Sequence, residues 1–202
     1  MFRLLSFALL ILTVNPAFSS TILVLGDSLS AGYQMPIEKA WPSLLPKVME
    51  EKGKPVSIIN GSISGDTTGN GLSRLPQLLK QHQPNVVLIE LGANDGLRGF
   101  PPNLIQDNLT QLIEMTRASN AIPLLMQIHV LPNYGKRYTK AFSAVYPTTA
   151  KQLNVTLIPF FLEDVIVKPE WMMPDGLHPT ADAQPWIANF MAEQLINHLQ
   201  LP

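Results

Sequence analysis

Three side chains in the sequence could together carry out nucleophilic catalysis. Ser28 lies three residues after an apolar run at 21–25, at a point where a strand would turn into a helix and leave the hydroxyl facing solvent. His178 could act as a base, and Asp175, three residues before it in a short loop, could accept a hydrogen bond from the other ring nitrogen. A hydroxyl, an imidazole and a carboxylate in these roles are what acyl transfer through a covalent intermediate requires.

Acyl transfer also requires hydrogen-bond donors for the oxyanion that forms at the carbonyl. The sequence offers the backbone N–H of Ser28, the backbone N–H of Gly65, which has no side chain to block approach, and the side-chain amide of Asn94. Each residue alone has a simpler explanation, because Ser28 could cap a helix, Gly65 could form a turn and Asn94 could form an Asx turn. The segment 175–178 could likewise be a surface turn. It is the presence of all of them that favours catalysis.

Short apolar runs alternate with longer amphipathic segments along the chain, which predicts an α/β fold. The apolar runs are continuous rather than alternating in polarity, as in parallel sheets that are buried on both faces. Predicted strands are 21–25, 56–59, 86–91, 122–128 and 155–158, and predicted helices are 41–52, 71–81, 103–119, 136–152 and 183–199. Right-handed crossovers would arrange them as a three-layer αβα sandwich around one five-stranded parallel sheet. Ligands bind such sheets beyond the carboxyl ends of the strands, so the residues named above should meet at that edge.

Length and composition are those of an ordinary globular protein. The 202 residues suit one domain, and 46% hydrophobic with 14% charged residues excludes a disordered acidic tail or a coiled coil. Fourteen lysines and arginines against 15 aspartates and glutamates, without a basic cluster, argue against nucleic acid as a partner. The absence of cysteine excludes disulfides, thiolate metal sites, a cysteine nucleophile and a lipid anchor carried by cysteine.

The first 19 residues have the features of a secretory signal peptide. Arg3 precedes an apolar stretch at 4–14, and Ala17-Phe18-Ser19 has the small-x-small pattern of a cleavage site. The apolar stretch is shorter than the ~20 residues that a transmembrane helix needs. We therefore expect cleavage after Ser19, export to the periplasm or the medium, no stable membrane anchor, and a single domain at 20–202.

Four sequence blocks resemble, in the same order, those of the SGNH (GDSL) hydrolases. The blocks are 26–30 (GDSLS), 62–67 (SISGDT) with Gly65, 92–95 (GAND), and Asp175 with His178. The resemblance covers essentially the whole chain after residue 19. It implies a flavodoxin-like sheet order of 2-1-3-4-5, a triad of Ser28, Asp175 and His178, and an oxyanion hole of Ser28, Gly65 and Asn94.

The chain departs from the pattern of this family at two positions. Ala93 stands where glycine is expected, and His129 stands where arginine is expected. A methyl group beside the oxyanion loop restricts the backbone there, so Ala93 bears on the conformation of the loop rather than on its chemistry. His129 follows the fourth predicted strand and could touch substrate, although packing or a loop hydrogen bond explains it equally simply.

The resemblance also implies the substrates, which are acyl esters and thioesters, including aryl esters, acyl-CoA and lysophospholipids. Leu97, Phe100 and Pro101 lie in a segment at 96–102 that the resemblance identifies as a mobile flap over the acyl chain. Met172, just before the predicted histidine loop, could continue this apolar wall, although it could also pack in the core. An apolar wall favours medium or long acyl chains over acetyl groups.

Other functions remain open at this stage. A flavin-binding or phosphate-binding α/β protein would need a loop such as GxxxxGK[ST] or GxGxxG, and the sequence has neither. A non-catalytic binding module would predict the loss of a triad residue, and a carbohydrate O-acetylesterase would share the whole site. A metal site of Asp175, His178 and Asp182 is disfavoured because the group has a single histidine and no second ligand cluster. We expect no cofactor, no metal and a monomer.

Overall fold

A single parallel sheet forms the centre of the computed structural model, which describes residues 20–130 and 132–199. Its strands are β1 (Ser20–Gly26), β2 (Val56–Asn60), β3 (Val86–Glu90), β4 (Ile122–Met126) and β5 (Thr156–Ile158). All pair in parallel in the order β2-β1-β3-β4-β5, which confirms the predicted class and strand order. The strand ends differ from the predicted ones by one or two residues.

Helices cover both faces of this sheet. In the described part of the chain they are α1 (Ser28–Ala31), α2 (Trp41–Glu51), α3 (Thr68–His82), α4 (Ala93–Leu97), α5 (Pro102–Ala118), α6 (Lys136–Leu153), α7 (Leu162–Val165) and α8 (Gln184–His198). Helices α2 and α8 pack against each other, while α3, α5 and α6 form a second group, so the molecule is a three-layer αβα sandwich. The short helices α1, α4 and α7 were not predicted, because a single turn leaves no periodic pattern.

Helix α3 starts three residues earlier than the predicted position. The hydroxyl of Thr67 accepts a hydrogen bond from the Asn70 amide (3.2 Å), and the Asn70 side chain accepts one from the Thr67 amide (3.0 Å). This reciprocal capping box fixes the first turn although it contains two glycines. The loop after β2 is thereby held firmly at the edge of the sheet.

The central strands form the most buried part of the molecule. Residues 22–25 of β1 and 86–89 of β3 are at most 2% exposed. Burying an aliphatic side chain of this size contributes roughly 1.5–3 kcal/mol, so these two strands are a rigid base for the loops that follow them. Gly26 pairs with Glu90 and Val24 with Asn60, which brings the carboxyl ends of three strands to the same edge.

The predicted signal peptide at 1–19 lies outside the described residues. Among the residues that are described, no helix combines the length and apolarity needed to cross a bilayer.

Candidate active site

Ser28, His178 and Asp175 form a continuous hydrogen-bonded line at the carboxyl edge of the sheet. Ser28 Oγ lies 2.8 Å from His178 Nε2, and His178 Nδ1 lies 2.7 Å from Asp175 Oδ2. Ser28 is the first residue of α1 and is separated from β1 by Asp27 alone, whereas the other two residues lie in the loop before α8. The distance between the hydroxyl and the imidazole allows direct proton transfer.

The loop that carries the histidine is folded by the carboxylate of Asp175 itself. Asp175 Oδ1 accepts hydrogen bonds from the amides of Leu177 (2.9 Å) and His178 (3.1 Å), which leaves Oδ2 free to bind the ring. Gly176 lies between them at φ +66°, in the left-handed region that favours glycine. Because Asp175 lies three residues before His178, its one carboxylate can both shape the turn and orient the imidazole.

The aromatic ring of Tyr33 packs against the face of the His178 imidazole. Its ring stacks on that of His178 with the centroids 4.1 Å apart and the planes at 26°. The sequence carried no signal for this contact, because Tyr33 follows α1 in an irregular segment far from residue 178 along the chain.

Hydrogen bonds lower the pKa of the Asp175 carboxyl group. Burial acts to raise the pKa of this carboxyl, but the hydrogen bonds from Leu177 and His178 outweigh burial and hold the pKa below its ordinary value. Asp175 is therefore ionised at neutral pH. A carboxylate beside Nδ1 favours the tautomer with the proton on Nδ1, which leaves the lone pair of Nε2 directed at Ser28.

The predicted oxyanion donors line one cavity with the serine and the histidine. Among the residues that the structure describes, the backbone N–H groups of Ser28 and Gly65 have no hydrogen-bond acceptor. Gly65 has φ +86°, and apart from its chain neighbours no described residue has an atom within 4 Å of the place where a Cβ would be. The position thus requires glycine for its backbone conformation and leaves open space beside the N–H.

The side-chain amide of Asn94 connects three loops. Its Nδ2 donates to the carbonyl of Asp66 (3.0 Å) and to Oδ2 of Asp27 (3.2 Å). The contact with Asp27 is the longer of the two, and a stronger acceptor in the cavity could replace it. The amide is thus held in place before any substrate binds, as an oxyanion donor needs to be.

Ala93 fits the helical backbone at the start of α4. The residue with an unusual conformation is its neighbour Gly92, at φ +122°, where a Cβ would meet the hydroxyl oxygen of Tyr146 at 1.9 Å. The backbone freedom that the loop needs is therefore supplied at Gly92, and the methyl group of Ala93 lines the cavity.

Two fully buried carboxyl groups, those of Asp27 and Glu90, lie close to the predicted oxyanion donors. Burial raises the pKa of Asp27 to about 7, against the opposing hydrogen bonds from Leu29 and Asn94. Burial, with a further contribution from Asp27, raises the pKa of Glu90 well above its ordinary value. The raised pKa of Glu90 reduces the negative charge behind the groups that would stabilise an oxyanion.

Two further aspartates fasten the loops of Gly65 and Asn94 to α3. Asp66 pairs with Arg74 on α3, with Arg74 Nε 2.9 Å from Asp66 Oδ2. Asp95 is fully buried and accepts from the amide and the hydroxyl of Thr68, at 2.8 and 2.6 Å. The carboxylate of Asp95 thus ties the loop of Asn94 to the start of α3, and that of Asp66 ties the loop of Gly65 to the same helix. Neither aspartate lines the cavity.

The cavity beside Ser28 has a volume of about 240 Å³ and mostly apolar walls. Its polar lining includes Ser28, Gly65, Asn94 and His178. Its apolar lining includes Leu29, Leu97, Val130, Phe160, Leu162 and Ile166. The cavity can therefore receive a hydrocarbon chain next to a carbonyl group that is held at the serine.

Of the four wall residues predicted from the sequence, Leu97 lines the cavity and Phe100, Pro101 and Met172 do not. The hydroxyl of Tyr138 donates to the carbonyl of Phe100 (2.8 Å), and the Phe100 side chain packs against the core. Pro101 is exposed and caps α5, and Met172 also packs against the core. The opposite wall comes instead from residues after β5, whose apolar sequence is equally typical of core packing.

His129 also lines the cavity and is tied to two helices. Its Nε2 lies 3.1 Å from Oε1 of Glu163 on α7, and its Nδ1 lies 3.2 Å from the hydroxyl of Ser143 on α6. The residue thus joins both elements at the wall, and both of its ring nitrogens have protein partners.

Comparison with known proteins relates the whole described chain to one family. Residues 24–184 match the model of the GDSL-like lipase/acylhydrolase family. An arylesterase of Vibrio mimicus is 62% identical over 98% of this chain and 100% of its own. Thioesterase 1/protease 1/lysophospholipase L1 of Escherichia coli K12 is 55% identical over 94% of this chain and 91% of its own. The crystal structure of the esterase EstA from Pseudoalteromonas, inhibited by monoethylphosphonate, superposes with a TM-score of 0.86 at 44% identity, covering 89% of this chain and 98% of EstA.

Proposed function

The chain belongs to the family of GDSL-like lipases and acylhydrolases and is an ester and thioester hydrolase; we propose that it uses Ser28 as nucleophile, His178 as general base and Asp175 to orient the histidine. The observation that carries this assignment is the unbroken line from Ser28 Oγ through the imidazole to the carboxylate, at 2.8 and 2.7 Å. The inhibition of EstA by a phosphonate supports it, because phosphonates react at phosphorus with activated serine hydroxyls.

In the first half of the reaction, Ser28 Oγ attacks the carbonyl carbon of the substrate while His178 Nε2 takes the hydroxyl proton. The carbonyl oxygen becomes an oxyanion, which accepts hydrogen bonds from the amides of Ser28 and Gly65 and from the side chain of Asn94. His178 then gives its proton to the departing alcohol or thiol. The acyl group remains on Ser28 as an ester.

In the second half, a water molecule takes the place of the leaving group. His178 Nε2 removes a proton from this water as it attacks the acyl-enzyme, and the same donors stabilise the second oxyanion. Collapse of this intermediate returns the proton to Ser28 Oγ and releases the fatty acid. Ionised Asp175 stabilises the imidazolium that forms in each half.

The substrates we propose are esters and thioesters with a medium or long acyl chain, including aryl esters, acyl-CoA and lysophospholipids. The activities named for the Vibrio mimicus and Escherichia coli relatives support this range. The apolar lining next to Ser28 supports a hydrocarbon chain over an acetyl group, which disfavours a carbohydrate O-acetylesterase.

We further propose that residues 1–19 direct export to the periplasm or the medium, are removed after Ser19, and leave one domain at 20–202. One chain supplies every residue of the proposed site, which supports a monomer as the active unit. Mass spectrometry of the exported protein tests the cleavage directly. A mature chain that still begins at Met1 would contradict the proposal.

The catalytic assignment is tested by comparing Ser28→Ala with Ser73→Ala. Ser73 is an exposed serine on α3 whose hydroxyl donates a hydrogen bond to the carbonyl of Asn70, so it serves as a matched control. Loss of the nucleophile should lower kcat for p-nitrophenyl octanoate by on the order of 10⁴-fold or more, since the triad acts as a unit. Ser73→Ala should retain wild-type turnover, and both variants should keep the wild-type melting temperature within a few degrees. Normal turnover by Ser28→Ala would exclude Ser28 as the nucleophile.

A further inference from the structure

Glu90 stands out as a buried acid that the proposed reaction does not use. It is the last residue of β3, whose other four residues are buried and apolar, and its side chain is fully inaccessible to solvent. It is absent from the lining of the catalytic cavity. Placing a carboxyl group in such a strand costs free energy unless its hydrogen bonds are satisfied.

The carboxyl group of Glu90 bonds the residues on both sides of the nucleophile. Glu90 Oε2 accepts a hydrogen bond from the hydroxyl of Ser30 (2.7 Å) and a longer one from the amide of Asp27 (3.4 Å). Ser30 is itself fully buried and lies in α1 two residues after Ser28. One oxygen atom thus holds the chain immediately before and shortly after the serine.

The backbone of the nucleophile turn passes directly over this carboxyl group. Gly26 pairs with Glu90 across the sheet, and a Cβ at Gly26 would lie 2.5 Å from Glu90 Oε2 and 2.9 Å from the hydroxyl of Ser62. Any larger residue would push the turn away from Glu90. The glycine that opens the motif at 26–30 is therefore needed for this close approach.

We propose that Glu90 is a positioning residue for catalysis. Its carboxyl group accepts hydrogen bonds from the hydroxyl of Ser30 and the amide of Asp27, and these bonds fix the turn that presents the hydroxyl and the N–H of Ser28. This inference rests on the proposed role of Ser28. Both the attacking oxygen and one oxyanion donor belong to Ser28, so a shift of the turn misplaces two reacting groups at once. Misplacement by about 1 Å can lower a rate on the order of 100-fold.

The role of Glu90 as a hydrogen-bond acceptor predicts different effects for two substitutions. Glu90→Gln keeps an oxygen that can accept from Ser30 and Asp27, so we expect its kcat for p-nitrophenyl butyrate to stay within about threefold of wild type. Glu90→Leu has a similar size but no acceptor, and its kcat should fall roughly 10- to 100-fold with KM within about twofold. The rate of covalent labelling by a fluorophosphonate should fall by the same factor, because it reports the reactivity of Ser28.

A double variant separates positioning from stability. Glu90→Leu leaves the buried hydroxyl of Ser30 without a partner, which lowers stability, whereas Glu90→Leu with Ser30→Ala removes that unpaired group. We expect the double variant to regain melting temperature but not kcat. Thr116→Val, which removes a buried hydroxyl bonded to the carbonyl of Leu112 on α5, is the control for destabilisation away from the site and should keep its kcat.

Several results would overturn the proposal. One is a folded Glu90→Leu enzyme with wild-type kcat, and another is a Glu90→Gln enzyme as slow as Glu90→Leu. The third is a double variant that recovers kcat together with stability. If Glu90→Leu does not fold, the kcat values of Glu90→Gln and Ser30→Ala test the proposal instead. Ser30→Ala loses the shorter hydrogen bond to Glu90 and should therefore have the lower kcat. Activity in Ser28→Ala would instead refute the proposed function, so the two failures are distinguishable.

Discussion

Asp175→Asn should separate the orientation of the histidine from the folding of its loop. The asparagine side chain would keep an oxygen in the place of Oδ1, so the bonds from the amides of Leu177 and His178, at 2.9 and 3.1 Å, can persist. At the place of Oδ2, 2.7 Å from His178 Nδ1, it would present an N–H₂ group. Two donors cannot face each other, so the ring must turn its lone pair to the new amide and place its proton on Nε2.

With the proton on Nε2, the imidazole cannot accept the proton of Ser28. The same exchange in a serine protease lowers kcat about 10⁴-fold while the geometry is kept, and we expect a loss of roughly 10³- to 10⁴-fold here. Asp175→Ala should be at least as slow and also less stable by about 1–3 kcal/mol, because it loses both amide bonds of the turn at roughly 0.5–1.5 kcal/mol each.

The assay is kcat for p-nitrophenyl octanoate together with the free energy of unfolding in urea. Asp182→Asn is the matched control, since Asp182 is exposed and lies in the next turn of the same segment. It should resemble wild type in both measurements. Turnover by Asp175→Asn within tenfold of wild type would refute the reasoning, because the ring would then not depend on the carboxylate for its tautomer.

Two further predictions concern the buried acid beside Ser28 and the cavity wall. Burial raises the pKa of Asp27 from 3.8 to about 7 in the folded state. Between these two pH values the folded state keeps a proton that the unfolded state has released, so stability is lost as the pH rises through this range. The free energy of unfolding in urea of wild type, relative to that of Asp27→Asn, should therefore decrease from pH 4 to pH 7 and then level off. A difference between the two proteins that does not change with pH would contradict this prediction. Ile166 lines the cavity and is 41% exposed, so Ile166→Asn removes only part of an aliphatic contribution, about 1 kcal/mol. The KM for an octanoyl ester should rise roughly fivefold and that for an acetyl ester should stay constant; equal effects on both would place the acyl chain elsewhere.

The elements that position the site were predictable because their signals are local. Continuous apolar runs identified the strands, and parallel strands place their following loops at one edge, so Ser28, Gly65 and Asn94 could be expected to meet. The pairing of Asp175 with His178 was predictable because both lie in one short loop.

The far wall of the cavity was not predictable in the same way. Phe160, Leu162 and Ile166 lie in an irregular, apolar segment after β5, and an apolar side chain that faces a cavity has the same sequence pattern as one that faces the core. Tyr33 contacts His178, Glu90 contacts Ser30, and each pair is far apart along the chain. Such contacts follow from the packed structure and leave no periodic signal.

Trapping of the acyl-enzyme is the most direct test of the mechanism. A reaction with p-nitrophenyl octanoate, stopped with acid in the first turnover, should contain protein heavier by one octanoyl group, and peptide mapping should place that group on Ser28. The Ser28→Ala variant should acquire no mass under the same conditions. An acyl group on any other residue, or rapid turnover with no acylated protein at any time, would contradict nucleophilic attack by Ser28.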